Sequence, residues 1–75
     1  MTDKEWRIYV RGLLKAELVR RNISYIKLSE LLRKEGIEES PQNLSNKIAR
    51  GSFSATFMLQ VLDVIGCESI YLKAS

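Results

Sequence analysis

Hydrophobic residues recur at three- and four-residue steps in four segments of the chain, which is the spacing of one face of a helix. This pattern predicts four helices. The first lies within residues 1–21 and begins at residue 3, and the others are residues 24–35, 41–50 and 54–65. After the fourth helix, residues 68–73 contain β-branched and aromatic side chains and are predicted to form a short extended tail. The fold class predicted for residues 1–75 is therefore all-α: one compact four-helix domain, with the C-terminal extended tail as a candidate fifth element.

The first helix carries two parallel stripes of residues. Its apolar stripe consists of Trp6, Val10, Leu13, Leu14 and Leu18. Its basic stripe consists of Lys4, Arg7, Arg11 and Lys15, which also follow one another at three- and four-residue steps. A basic stripe of this kind is either a solvated surface or an edge that contacts phosphate groups, and the spacing alone leaves both readings open.

Residues that favour helix ends stand at most of the predicted boundaries. Serine hydroxyls, which cap free backbone N–H groups, precede three helices at Ser24, Ser40 and Ser54. Glycines, which adopt the left-handed conformation that ends a helix, follow three helices at Gly36, Gly51 and Gly66. Pro41 suits the first position of the third helix. Asn22, after the first helix, tolerates a left-handed turn.

The third helix differs from the others because its apolar content is small. Leu44 and Ile48 form one narrow stripe that can face a core. The remaining polar side chains are amides, hydroxyls and cations without a carboxylate: Gln42, Asn43, Ser45, Asn46, Lys47 and Arg50. Amides can pair with adenine in the major groove, and cations can reach guanine or a phosphate. The alternative is a surface helix whose polar face contacts only water.

The distribution of charge favours a polyanionic partner more than the net charge does. The formal net charge is only +3, but residues 40–62 contain two cations and no acid.

The chain has 75 residues, and a domain of this size buries only about 60% of its unfolded surface. A homodimer, formed through the apolar fourth helix and the tail, is therefore expected.

Several classes of function are disfavoured by residues that the chain lacks. Histidine is absent and Cys67 is the only cysteine, which removes the usual general base, the commonest metal ligand and any internal disulfide. We therefore expect no enzyme activity, no metal, no cofactor and no small-molecule ligand. No apolar run approaches the roughly 20 residues of a membrane span, and residues 3–5 are not those of a signal peptide. A cytoplasmic protein without membrane contact is expected.

With four helices in this order, the sequence resembles the Cro and phage-repressor (XRE-like) type of helix-turn-helix domain found in bacteria and phages. The likeness covers roughly residues 13–70 and is carried by Ile23-Ser24, by residues 28–32, by residues 44–51 and by residues 57–67. The sequence is also similar to a family of short, uncharacterised bacterial proteins with a helix-turn-helix-like frame.

The resemblance implies that the helix at residues 41–50 enters the major groove and that the helix at residues 24–35 lies across the DNA backbone. The base-contacting candidates that it implies are Gln42, Asn43, Asn46 and Lys47, with Ser45 beside them. The phosphate-contacting candidates that it implies are Ser40, Arg50 and Ser52. Charge adds further phosphate-contacting candidates on the first two helices: Arg7, Arg11, Lys15 and Lys27.

The expected function is sequence-specific binding of double-stranded DNA by a small dimeric transcriptional regulator. The alternative is a protein-protein interaction module that uses the same fold, without DNA, through the fourth helix and tail. Single-stranded RNA is disfavoured as a partner because it is bound by exposed aromatic residues, whereas Trp6, Phe53 and Phe57 are expected to be buried.

Overall fold

Four α-helices follow one another in residues 1–72, the part of the chain that the computed structural model describes. They are α1 (Asp3–Arg20), α2 (Tyr25–Lys34), α3 (Pro41–Arg50) and α4 (Ala55–Val64). The described residues contain no strand, and residues 67–72 form neither helix nor strand. The prediction of an all-α, compact four-helix fold is confirmed. The last residue of the predicted tail, Lys73, lies outside the described residues.

Side-chain caps fix where the helices begin. The hydroxyls of Ser24, Ser40 and Ser54 each accept a hydrogen bond from the backbone N–H three residues later, at 3.0–3.1 Å. The start of α1 is a reciprocal capping box, in which Thr2 and Glu5 each bond the other's backbone. That box was missed in the sequence, although its signature of a threonine followed three residues later by a glutamate is present.

The end of α3 is fixed by a glycine in close contact with α1. Gly51 is buried and has a φ of +65°, a left-handed conformation that glycine adopts without strain. A Cβ at Gly51 would lie 2.9 Å from the carbonyl carbon of Arg7 and closer still to its oxygen. The end of α3 and the basic stripe of α1 are therefore neighbours.

The core is formed by leucines and other apolar residues from all four helices. Its fully or nearly buried members are Leu14, Leu18, Leu28, Leu32, Leu44, Ile48, Phe57, Val61, Leu62 and Ile65. α3 packs against α1 and α2, and α2 also packs against α4. Because Leu44 and Ile48 are both 0% exposed, the narrow apolar stripe of α3 holds that helix against the core and turns its polar side chains outwards.

The prediction that Trp6 is buried was wrong. Trp6 is 41% exposed and packs edge-on against Tyr9, with ring centroids 5.8 Å apart. The reason is that the core covers only the second half of α1, where its buried residues Leu14, Glu17 and Leu18 lie, whereas Trp6 lies in the first turn of the helix.

Within residues 1–72, no helix has both the length and the apolar character that crossing a membrane requires.

Candidate nucleic-acid interface

The exposed face of α3 lies opposite its buried stripe. Leu44 and Ile48 point into the core, so residues about half a turn away point to solvent. The exposed side chains on this face are Gln42, Asn43, Asn46, Ala49 and Arg50. Ser45 and Lys47 are half-buried at its two borders. The exposed side chains of this face therefore include three amides and one cation, and they include no acid.

Two of these amides bond to each other. The Nε2 of Gln42 donates a hydrogen bond to the Oδ1 of Asn46 at 3.2 Å, one helical turn further along α3. Both side chains remain exposed. The pair presents its remaining donors and acceptors to solvent, and these are the groups that base edges can bond.

Lys47 is held by contacts within the protein. Its ammonium forms an ion pair with the carboxylate of Glu39, and it lies 4.9 Å from the centroid of the Phe57 ring. The side chain of Lys47 is 39% exposed and that of Glu39 only 12%. Lys47 thus connects α3 with α4 and with the loop that precedes α3.

Glu39 was not singled out in the sequence. It precedes α3 and lies eight residues before its lysine partner, outside the three- and four-residue spacing by which helical ion pairs are recognised. Its backbone is also anchored, because the hydroxyl of Ser29 donates a hydrogen bond to its carbonyl oxygen at 2.6 Å. Glu39 thereby attaches the loop between α2 and α3 to both of these helices.

A cationic cleft of about 320 Å³ lies beside the last turn of α3. It is lined by Lys4, Arg7, Ile8 and Arg11 of α1 and by Arg50 of α3. Arg11 donates a hydrogen bond from Nη1 to the carbonyl oxygen of Ala49 at 3.1 Å, so it also satisfies a free carbonyl at the end of α3. Arg7 forms an exposed ion pair with Asp3 at 2.7 Å.

The basic stripe of α1 is divided between two places. Lys15 does not line the cationic cleft; it lines a separate depression with Leu18, Val19, Ile23, Ser24 and Tyr25 near the start of α2. Lys27 is exposed in the first turn of α2. The predicted phosphate-contacting cations therefore form one group beside the end of α3 and another beside the start of α2. Lys4 belongs to the first group, although it was predicted only as a member of the stripe.

The predicted serines occupy helix boundaries. The hydroxyl of Ser40 accepts the cap hydrogen bond from the N–H of Asn43 at 3.1 Å. Ser52 is exposed just after α3 and lines a depression of about 250 Å³ with Lys47, Arg50, Phe53, Ser54 and Phe57. Ser52 thus lies close to the cations of α3, whereas the hydroxyl of Ser40 caps the start of α3.

A second charged cluster lies at the other end of α1. Glu17 is buried and bonds both Arg21 and Arg20, the latter at 2.9 Å, and the thiol of Cys67 donates to it at 3.7 Å. The hydrogen bond from Arg21 is the main reason that the pKa of Glu17 lies below its ordinary value of 4.5. These contacts join the end of α1 to the residues after α4. In the described part of the chain, no three potential metal ligands cluster.

Comparison with known proteins gives one family match. A family model described as a domain of unknown function, DUF6471, matches residues 6–70, which is most of the chain. No curated protein and no solved structure matches the chain significantly.

Proposed function

Since this chain belongs to the DUF6471 family, whose description names no activity, we propose a function from its geometry: sequence-specific binding of double-stranded DNA through the exposed face of α3. The observation that carries the proposal is a polar helix face that contains amides and a cation but no carboxylate, with a cationic cleft beside it. We propose that the protein acts in the cytoplasm as a small transcriptional regulator of the XRE-like helix-turn-helix type.

The shape and chemistry of α3 fit a major groove. An α-helix is narrow enough to enter the groove, which is about 12 Å wide. Gln42, Asn43 and Asn46 would then face base edges. Ser45 lies at the border of the same face. Lys47 would reach a base only after leaving Glu39, since its ammonium is paired in the free protein.

Cations of both groups would contact the DNA backbone. Arg7, Arg11 and Arg50 line or border the cationic cleft at the end of α3, and Ser52 follows closely in the chain. Lys15 and Lys27 lie beside the start of α2, and Ser40 caps α3. Phosphate contacts of this kind set the register of a protein on the duplex, while base contacts provide specificity.

We propose a homodimer that uses α4 and the residues after it. Leu59 is 62% exposed on α4, and a shallow groove of about 590 Å³ runs beside it. Its lining includes Leu62, Cys67 and Ile70. A two-fold dimer would bind two half-sites about 34 Å apart.

The same surface favours a second candidate function. Large apolar side chains exposed on α4 and on the residues after it, Leu59, Tyr71 and Leu72, are typical of a surface that binds another protein. In this alternative, the protein is an interaction module, and the polar face of α3 contacts only water.

The experiment that separates the two candidates is selection of bound duplexes from a random library, followed by titration of the selected duplex at several salt concentrations. DNA binding predicts an enriched sequence and an affinity that falls steeply with salt. Sedimentation in the same buffers gives the oligomeric state. Absence of binding to any duplex at low salt, together with a protein partner recovered from cells, would favour the interaction module.

A further inference from the structure

The side of α1 that is turned away from the core carries exposed apolar residues. Ile8 is 48% exposed and Val19 is 78% exposed. Because they are three helical turns apart, they lie on one line along the helix, about 16 Å from each other. Gly12 lies between them, and a Cβ at Gly12 would meet nothing within 4 Å, so the packing of the fold does not require a glycine there. We call the line formed by Ile8, Gly12 and Val19 the outer face of α1.

Two lysines border the outer face of α1. Lys4 and Lys15 are also three helical turns apart, and both are exposed. Neither lysine has an ion-pair partner among the described residues. The outer face of α1 is therefore apolar along its middle and positively charged along one edge.

The shallow groove beside α4, which we call the α4 groove, is apolar and negatively charged. Leu59 and Ile70 are among its apolar lining residues, and Asp63 and Glu68 are its acids. The described residues after Gly51 contain these two acids and no cation. The chain thus has two exposed apolar surfaces of opposite charge, on different helices, and neither is covered within one copy of the protein.

We infer that the outer face of α1 in one copy of the chain docks onto the α4 groove of a second copy. The inference rests on the homodimer proposed above and names the surface that completes it. Contact between two α4 grooves would bring acids towards acids, and contact between two outer faces of α1 would bring lysines towards lysines. Only the mixed contact pairs opposite charges, and like charges brought together at an interface disfavour association.

The arrangement fits the other features of the two surfaces. Gly12 lets the backbone of α1 approach the second copy closely, because it has no side chain. If both copies exchange the contact, the result is a closed two-fold dimer. Lys15 then contacts the second copy, and the phosphate contacts of the proposed function are made by the other cations. The exposed face of α3 belongs to neither surface.

Reversal of the charge on each surface tests the contact. One variant carries Lys4→Glu with Lys15→Glu, and the other carries Asp63→Lys with Glu68→Lys. Each variant alone is expected to self-associate at least about tenfold more weakly than the wild type, because its two surfaces then have the same sign. An equimolar mixture is expected to regain association, because each surface of one variant meets the opposite charge on the other. Sedimentation velocity over a range of protein concentrations measures the association.

Two further variants separate the contact from general effects. Arg33→Glu with Lys34→Glu makes the same change in net charge as the lysine variant, at exposed positions of α2 outside both surfaces. This control is expected to self-associate like the wild type. Gly12→Gln has room in the fold and favours the helix, so it is expected to raise the midpoint of thermal unfolding. It is also expected to weaken association roughly fivefold or more, because its side chain fills the space that the second copy occupies.

The outcomes distinguish this contact from other homodimers. The inference is overturned if Lys4→Glu with Lys15→Glu associates as strongly as the wild type, which would leave a homodimer formed by α4 alone. Failure of the mixture to regain association, or an equal loss in the control on α2, would overturn it as well. A wild-type chain that stays monomeric at every concentration would overturn the proposed homodimer together with the inference. DNA binding is tested separately by the duplex selection.

Discussion

The backbone of Gly51, at the end of α3, packs directly on the carbonyl group of Arg7 in α1. The contact leaves no room for a Cβ, which would lie 2.9 Å from the carbonyl carbon of Arg7. This contact joins the two parts of the candidate interface, since Arg7 lines the cationic cleft and Gly51 directly follows Arg50. The spacing between the polar face of α3 and the cations of α1 thus depends on the absence of one side chain.

Gly51→Ala is expected to destabilise the protein by two separate effects. A left-handed conformation costs a non-glycine residue about 1–3 kcal/mol, and the new Cβ also meets backbone that cannot rotate away. Gly36→Ala is the matched control, because Gly36 has a φ of +79° but nothing within 4 Å of a Cβ. Urea unfolding of both variants separates strain from collision. Equal losses in the free energy of unfolding would contradict the contact with Arg7.

Glu39→Gln tests the ion pair that holds Lys47. Loss of the carboxylate is expected to cost about 1 kcal/mol of stability or less, because the pair is only partly buried. If α3 binds DNA, the same change releases Lys47 and removes a negative charge. Affinity for DNA is therefore expected to rise about 2- to 5-fold, which corresponds to the free energy of a surface ion pair. Duplex titration and urea unfolding measure the two effects.

The control for this change is Glu38→Gln. Glu38 is an exposed neighbour of Glu39, and the substitution removes the same charge without disturbing Lys47. A gain in affinity shared equally by both variants would indicate general electrostatics and would argue against a specific restraint on Lys47.

Glu17 is expected to make stability depend on pH. The hydrogen bond from Arg21 lowers the pKa of Glu17 in the folded protein below its ordinary value of 4.5. The stabilisation is therefore fully present above the unfolded-state pKa and is lost as pH falls through the folded-state pKa. Glu17→Gln is expected to be less stable than the wild type near neutral pH, and the difference is expected to shrink in acid. Thermal unfolding from pH 7 down to pH 3 measures it.

A second glutamate contributes to the pH dependence of stability. The backbone hydrogen bond from Thr2 lowers the pKa of Glu5, so some pH dependence is expected to remain after Glu17→Gln. A difference between Glu17→Gln and the wild type that stays constant with pH would show that the hydrogen bonds from arginine to Glu17 do not stabilise the fold.

The sequence predicted those features that depend on local spacing. The serines and glycines located the helix ends because caps act within one turn. The spacing of Leu44 and Ile48 predicted which side of α3 is buried, and it also predicted that the amides lie on the opposite side. These features need no knowledge of how the helices pack together.

Features that depend on distant contacts could not be predicted in this way. Arg11 bonds Ala49, 38 residues away in sequence, and Glu39 pairs with Lys47 outside any helical spacing. Trp6 satisfied the periodicity of a buried face, yet it is exposed in the first turn of α1, whereas the buried residues of this helix all lie in its second half. In each case the outcome depends on the relative lengths and packing of the helices, which a periodic pattern along one helix does not contain.

Arg50 is the only one of the cations lining the cationic cleft that belongs to α3. If Arg50 contacts a phosphate, Arg50→Ala is expected to weaken binding to all duplexes similarly and to reduce the slope of log affinity against log salt by about 1. Arg20→Ala is the matched control, since Arg20 lies about 24 Å from Lys4 along α1 and is expected to leave the slope unchanged. Titrations at four salt concentrations measure the slopes. A loss confined to the selected duplex would place Arg50 against a base, and equal slope changes in both variants would argue against the cationic cleft as a phosphate site.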